Sequence, residues 1–247
     1  MISNRDGHVR VLPLHVANKI AAGEVVERPA SVAKELIENA IDAGAKRIAI
    51  TITQGGRKLV AVQDDGCGMT KDDAVLSLER QATSKISDVD DIENIDTLGF
   101  RGEAIPSIAS VSRFSITTRR HDSDEGTFLQ VNAGTLAEVR SAGCPPGTLV
   151  EVRDLFCNVP ARRKFLKSEM AEANAISDVV QHLALGRPDI SFKYIVNNKV
   201  KLQTTGKADV KEIIYRIYGK EISDEVIPIE YEEGDNKVAG FIGTPAI

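Results

Sequence analysis

Apolar and polar positions along this chain repeat with two periods, and the switches between them outline its elements. From Pro29 to Gly44, Val32, Leu36 and Ala40 run beside Ala33, Ile37 and Ile41, a stripe that predicts a helix lying on a core. Proline in the first turn and glycine past the last one punctuate it. Ile48, Ile50 and Ile52 then alternate, Gly55-Gly56 turns the chain and residues 59–63 return, the signature of a β-hairpin. Residues 14–26, 72–81, 103–110, 169–185 and 210–218 read as further helices. Residues 113–118, 128–131 and 148–152 read as strands, and 192–196 with 200–203 as a second hairpin around Asn197-Asn198. Residues 82–102 break both periods, a long polar connection of the kind that serves as a lid or binding loop. A shift in composition near residue 206 divides the chain into 1–206 and 207–247.

Composition adds limits. The chain has 247 residues, 42% hydrophobic and 27% charged, with a net charge of −5, so any contact with nucleic acid must come from a local basic patch. No apolar run reaches the roughly 20 residues that span a bilayer, and the first ten residues lack the apolar segment of a signal peptide. Cys67, Cys144 and Cys157 are too few and too scattered for a disulfide framework, which favours a reducing, cytoplasmic setting.

The first helix carries Glu35, Asn39 and Asp42 at i, i+4 and i+7, so acid, amide and acid share one face. The returning hairpin strand runs into Asp64-Asp65-Gly66-Cys67-Gly68. A carboxylate at a strand end can accept from the exocyclic amine of a base, and the glycines let a flat ring approach the backbone. The same string also suits a turn or a calcium-type loop. Familiar phosphate loops are missing: Gly206-Lys207-Ala208 lacks the hydroxyl and leading glycine of a P-loop, and Gly66-Cys67-Gly68 lacks a third glycine. Leu98-Gly99-Phe100-Arg101-Gly102 instead leads into a helix whose first N–H groups can hold phosphate oxygens; a solvated loop with a helix cap reads the same way. Arg162, Arg163, Lys164 and Lys167 cluster beside Phe165, and Arg113, Arg119 and Arg120 flank a strand. Such clusters are either phosphate-contacting patches or solvated faces.

Taken together, the strings Ile20-Ala21-Ala22-Gly23-Glu24-Val25-Val26-Glu27-Arg28-Pro29, Lys34-Glu35-Leu36-Ile37-Glu38-Asn39 and Asp64-Asp65-Gly66-Cys67-Gly68 resemble the MutL family of mismatch-repair ATPases. Ala82-Thr83-Ser84-Lys85, Gly99-Phe100-Arg101-Gly102-Glu103-Ala104 and Asn158-Val159-Pro160-Ala161-Arg162-Arg163-Lys164-Phe165 extend the likeness over most of the chain. Type II topoisomerase ATPase regions, heat-shock chaperones and histidine kinases share the acid–amide helix and the D-x-G-x-G string, but not the last two.

The resemblance implies an α+β sandwich, a mixed and mostly antiparallel sheet with helices on one face, followed by the start of a smaller second α/β domain. It implies ATP and Mg²⁺ as ligands: Glu35 as general base, Asn39 on the metal and phosphates, and Asp64 on the adenine amine. Ala43, Gly68 and Thr148 would complete the base pocket, and Thr83, Ser84, Lys85, Gly99, Phe100, Arg101 and Gly102 would form a lid over the phosphates. The implied partners are DNA, bound weakly and without sequence preference, a mismatch-recognition protein of the MutS type, and a second copy of the chain. The implied setting is a prokaryotic cytoplasm, at the nucleoid during repair. Family members continue well past residue 247 and supply a γ-phosphate lysine from the second domain, so nucleotide binding is expected to be firmer here than turnover. A nucleotide-gated scaffold that does not hydrolyse ATP and a topoisomerase-type ATPase region are the competing readings.

Overall fold

The computed structural model describes residues 25–80, 82, 98, 102–234 and 236–244. The predicted helix over 14–26 therefore lies outside it apart from its last two residues. The first described helix, α1 (Pro29–Asp42), is followed by β1 (Arg47–Thr53), β2 (Leu59–Asp64), α2 (Lys71–Leu76), α3 (Ala104–Ser110), β3 (Arg113–Arg119), β4 (Gly126–Asn132), β5 (Thr135–Ala142) and β6 (Gly147–Arg153). Then come α4 (Pro160–Phe165), α5 (Glu169–Gly186), β7 (Ser191–Val196), β8 (Lys199–Gln203), α6 (Val210–Tyr218), α7 (Lys220–Glu225), β9 (Val226–Glu233) and β10 (Asn236–Gly243).

Eight strands form one sheet in the order β5-β4-β3-β6-β2-β1-β7-β8. Within it β1 and β7 are parallel and the other neighbours antiparallel. The mixed, mostly antiparallel α+β architecture is the one expected. Directly opposed residues project to the same face of a sheet, so the register defines rows of side chains. Two rows across six strands are wholly apolar: Val131, Phe114, Val152, Val60, Ile52 and Val196, then Leu129, Ile116, Val150, Val62, Ile50 and Tyr194. The third changes character halfway: Ile48 and Phe192 continue the apolar half, while Asp64, Thr148, Thr118 and Thr127 make the other half polar.

The apolar stripe of α1 lies on this face. Val32, Ala33, Leu36, Ile37, Ala40 and Ile41 are buried, and α5 adds Ile176, Val180 and Ala184 to the same core. At roughly 25 cal/mol per Å² of apolar surface, each large side chain in the rows stabilises the fold by about 2 kcal/mol. Three helix starts carry side-chain caps: Thr70 accepts from the Asp73 N–H, Ser168 from that of Ala171 and Asp209 from that of Glu212. The N-cap position of α1 is Arg28, which does not cap. Its guanidinium instead reaches Glu172 at 2.9 and 3.0 Å, and the Lys167 N–H donates to the other Glu172 oxygen at 2.9 Å. That buried carboxylate ties the start of α1 to the start of α5.

The helix predicted over 72–81 is shorter, ending at Leu76. Strands β5, β9 and β10 and helices α4 and α7 were not predicted. Past residue 207, where a second unit is expected, Ile213 of α6 packs into the main core. Beyond α7, β9 and β10 pair as a separate two-stranded sheet whose one face, Ile227, Ile229, Tyr231, Val238 and Ile242, is apolar and exposed.

Candidate nucleotide site

The polar half of the third row sits at the C-terminal end of α1. The Cys67 N–H donates to the Ala43 carbonyl at 2.9 Å, and a Cβ on Gly66 would fall 2.8 Å from that same oxygen, so only glycine lets the loop after β2 seat on the helix end. Gly68 is held at φ +68°, and a Cβ there would lie 2.1 Å from the Arg119 carbonyl. His121 Nε2 donates to the Gly66 carbonyl at 3.0 Å, and a cleft of about 460 Å³ opens beside Cys67, Gly68, Arg120 and His121.

Asp64 and Asp65 are neighbours with opposite surroundings. Burial pushes the Asp64 carboxyl up to about 6, although the N–H groups of Gly66 and Thr148 donate to it, the former at 2.8 Å. Burial acts on Asp65 as well, but the N–H groups of Arg47 and Lys46, each at 2.8 Å, and the Arg47 guanidinium outweigh it and hold that carboxyl below its ordinary value. Asp65 locks β1 to the loop, whereas the partners of Asp64 among the described residues are backbone N–H groups. Thr148 lies next to Asp64 in the row, with its hydroxyl 3.0 Å from that of Thr118. Thr118 is fully buried, also accepts from the Met69 N–H at 2.9 Å and donates to the Gly147 carbonyl at 3.1 Å.

On α1, Glu35, Asn39 and Asp42 are all half-buried along one face, whereas Glu38 is buried and paired with Lys34 at 3.1 Å. From Ala43 back to Asn39 the helix rises about 6 Å, and to Glu35 about 12 Å. The amide and the acid thus stand one and two turns from the helix end on which the loop after β2 is seated. Asp42 accepts from the Leu98 N–H at 3.0 Å, which gives the third residue of the stripe a role the sequence did not disclose: it holds the start of the glycine-rich loop. Gly102, at the far end of that loop, lies against Ala82, so the ends of the connection meet. Thr83, Ser84, Lys85, Gly99, Phe100 and Arg101 lie outside the described residues.

The described residues contain no group of three or more His, Cys, Asp or Glu that could hold a metal by themselves. Asn39 contributes a hard amide oxygen without added charge. That donor suits Mg²⁺, which takes few protein ligands and completes its octahedron with phosphate oxygens and water.

The basic clusters are less uniform than their sequence suggests. Arg162 donates to the Val26 carbonyl at 3.2 Å and stands 5.8 Å over the Phe156 ring, so it helps hold the segment before α1. Arg113 pairs with Asp154, Arg119 donates to the Cys144 carbonyl and Arg120 pairs with Asp122. Arg163, Lys164 and Lys167 are exposed beside Phe165, itself 86% exposed. No helix among the described residues is long and apolar enough to cross a membrane.

Comparison with known proteins agrees with this geometry. Residues 27–153 match the family model described as histidine kinase-, DNA gyrase B- and HSP90-like ATPase. The chain is 50% identical over 237 residues to the DNA mismatch repair protein MutL of Geobacter sp. (strain M21), a match covering 96% of this chain and 36% of that one. To MutL of Desulforudis audaxviator (strain MP104C) it is 48% identical over 239 residues, 97% of this chain and 42% of the relative. The chain therefore spans about two fifths of the length of these relatives. The Aquifex aeolicus MutL ATPase domain complexed with ADP superimposes with a TM-score of 0.66 at 30% identity, covering 84% of this chain and 73% of that one. The N-terminal domain of a DNA repair protein, 23% identical, reaches a TM-score of 0.78 over 94% of this chain and 74% of its own, a likeness of fold.

Proposed function

This chain belongs to the family of histidine kinase-, DNA gyrase B- and HSP90-like ATPases, in its MutL branch, and from that premise we propose that it binds Mg-ATP and hydrolyses it slowly to signal in DNA mismatch repair. The observation that carries the reading is the polar half-row. A carboxylate raised to about 6 by burial stands beside a threonine hydroxyl at the foot of the helix that bears Glu35 and Asn39. Asp64 and Thr148 receive the adenine edge, and Gly68, whose missing Cβ lets the loop seat against the Arg119 backbone, lies beneath the ring. Ala43, whose carbonyl is engaged by Cys67, forms the wall beside it.

Asn39 holds Mg²⁺ together with the phosphate oxygens; the ion, when bound, neutralises charge developing on the phosphates. Glu35, two turns from the base end, orients a water and takes its proton as that water attacks the γ-phosphate. The loop that starts at Leu98 and ends at Gly102, with Thr83, Ser84, Lys85, Gly99, Phe100 and Arg101, closes over the phosphates and reports ATP to the rest of the assembly. The partners are a second copy of the chain, a mismatch-recognition protein of the MutS type, and DNA met without base readout by Arg163, Lys164 and Lys167, with Arg162 behind them. Residues 207–247 begin the second unit, and the exposed apolar face of the β9–β10 hairpin within them supports that assignment.

A titration with a non-hydrolysable ATP analogue, with and without Mg²⁺, tests this directly. We expect Mg²⁺-dependent binding that Asn39→Ala removes and Glu35→Ala preserves, while Glu35→Ala lowers hydrolysis by about 100-fold or more. A Glu35→Ala variant that turned over ATP at the parent rate would remove Glu35 from the role of base; no binding at all would remove the function.

A further inference from the structure

Thr118 is a residue that no motif singled out, yet it is fully buried at the inner end of the base pocket. It occupies the same row as Thr148 and Asp64, one strand further from α1. Its hydroxyl oxygen makes three contacts: the Met69 N–H at 2.9 Å, the Gly147 carbonyl at 3.1 Å and the Thr148 hydroxyl at 3.0 Å.

A hydroxyl has one proton to give and two lone pairs to receive with. The Met69 N–H is a donor, so it takes one lone pair. The Gly147 carbonyl can only accept, so it takes the proton. The contact with Thr148 can then be a hydrogen bond only if Thr148 donates into the second lone pair. With the opposite polarity, Thr118 would donate to Thr148 and leave the Gly147 contact without a proton, a loss in a buried setting. All three contacts are satisfied in one arrangement alone. Its consequence lies at Thr148: the proton of that half-buried hydroxyl points to Thr118, so its oxygen has only lone pairs left for a ligand. Beside it stands the Asp64 carboxylate, which when ionised also only accepts.

We infer that Thr118 is a specificity-determining positioning residue, whose buried hydroxyl fixes the direction of the Thr148 hydroxyl so that the base pocket selects a 6-amino purine over a 6-oxo purine. A 6-amino group brings two N–H donors to the two acceptors. A 6-oxo group brings a third acceptor, and neither Thr148 nor the ionised Asp64 has a proton left to meet it. The inference rests on the ATP reading of the site, and it assigns to Thr118 a role exerted through Thr148 and not by touching the ligand.

The test is equilibrium binding of ADP and inosine diphosphate, which differ at the purine 6-position and are not turned over. The parent protein should prefer ADP by roughly 100-fold, since a pocket built on hydrogen bonds rejects an analogue that leaves them unmet. Thr118→Val keeps the shape and removes the hydroxyl, freeing Thr148 to rotate and donate to the 6-oxo group, so the preference should fall at least about tenfold. Thr118→Ser should keep it. Thr148→Val should lower it as well, and the double variant should lose little more than either single one, because the two hydroxyls act as a unit. If the valine variant does not fold, Thr118→Cys, a weak donor and acceptor, carries the same expectation. Equal weakening of both nucleotides by Thr118→Val, or an unchanged ratio, would reduce Thr118 to a structural role while leaving the ATP reading intact. A parent protein that bound neither diphosphate would overturn both.

Discussion

Glu172 and Asp64 are both drawn in from water, and their surroundings divide their work. Glu172, 1% exposed, meets the Arg28 guanidinium with one oxygen and the Lys167 N–H with the other. Its charge is answered inside the protein, and it joins the ends of two helices. Among the described residues Asp64 meets backbone N–H groups and no cation, and burial raises it to about 6. Its charge is answered incompletely, at the foot of a helix that carries a half-buried amide and acid along one face. A buried carboxylate with an internal cation is part of the structure. One left with dipoles alone is poised for a donor from outside.

The largest effect expected from this contrast falls on stability, at the Glu172 end. Arg28→Ala leaves a nearly inaccessible carboxylate with one N–H for company and should lower the unfolding free energy by about 3 kcal/mol, read from the urea midpoint. Replacing both partners by apolar residues, Arg28→Met with Glu172→Leu, should restore most of the loss, because a buried ion pair contributes little net of its desolvation. If Arg28→Ala left the midpoint where it was, the pair would be ornamental and the contrast with Asp64 would lose one of its sides.

That pair also marks a boundary of what the chain discloses on inspection. Its members stand 144 residues apart, and no local period connects them. The same holds for the parallel pairing of β1 with β7, on which the width of the sheet depends. Strand β5 was missed for a different reason: almost every residue in it is exposed and its side chains do not alternate in polarity. Strand β9 was missed although Ile227, Ile229 and Tyr231 do alternate with Pro228, Glu230 and Glu232, because that apolar phase stays exposed and has no core beside it. Where one face is buried and the other open, the pattern sufficed, as in α1 and the β1–β2 hairpin. At the candidate site, Glu35, Asn39, Asp64 and Gly68 stand in strings legible in the sequence, whereas Thr148 entered only through the family resemblance. Thr118 did not, although a signal was present: Phe114, Ile116 and Thr118 share the buried phase of β3, and a threonine in that phase needs partners. Asp42 was visible as part of the stripe, but its contact with Leu98 depends on the path of the loop.

The next effect in size falls on ligand affinity, at the Asp64 end. Asp64→Asn keeps an oxygen for the Gly66 N–H but turns an amide donor toward the base, so ADP affinity should fall by about 100-fold in a calorimetric titration. The stability change should have the opposite sense to that of Arg28→Ala. Removing a charge that burial disfavours should leave the urea midpoint at pH 7 unchanged or slightly higher. Loss of stability together with loss of binding would mean that Asp64 holds the fold in the way Glu172 does.

The smallest effect is a pH dependence, and its sign separates the two roles of one carboxylate. In the ligand-free protein the Asp64 carboxyl sits above its ordinary value of 3.8, at about 6, so protonation favours the folded state. That stabilising contribution is complete below the ordinary value and is lost as the pH rises through about 6. Binding runs the other way, because the base amine needs the ionised acceptor. With a titration at about 6, roughly nine tenths of the group is ionised at pH 7 and one tenth at pH 5, so ADP affinity should fall about tenfold between them. Asp64→Asn should flatten that profile at its lower level. Asp65→Asn should not change its shape, since Asp65 is held below its ordinary value by Arg47 and Lys46 and stays ionised across the whole window. A profile flattened by the Asp65 variant and kept by the Asp64 variant would exchange the roles of the two neighbours, making Asp65 the acceptor for the base and Asp64 the lock on the loop.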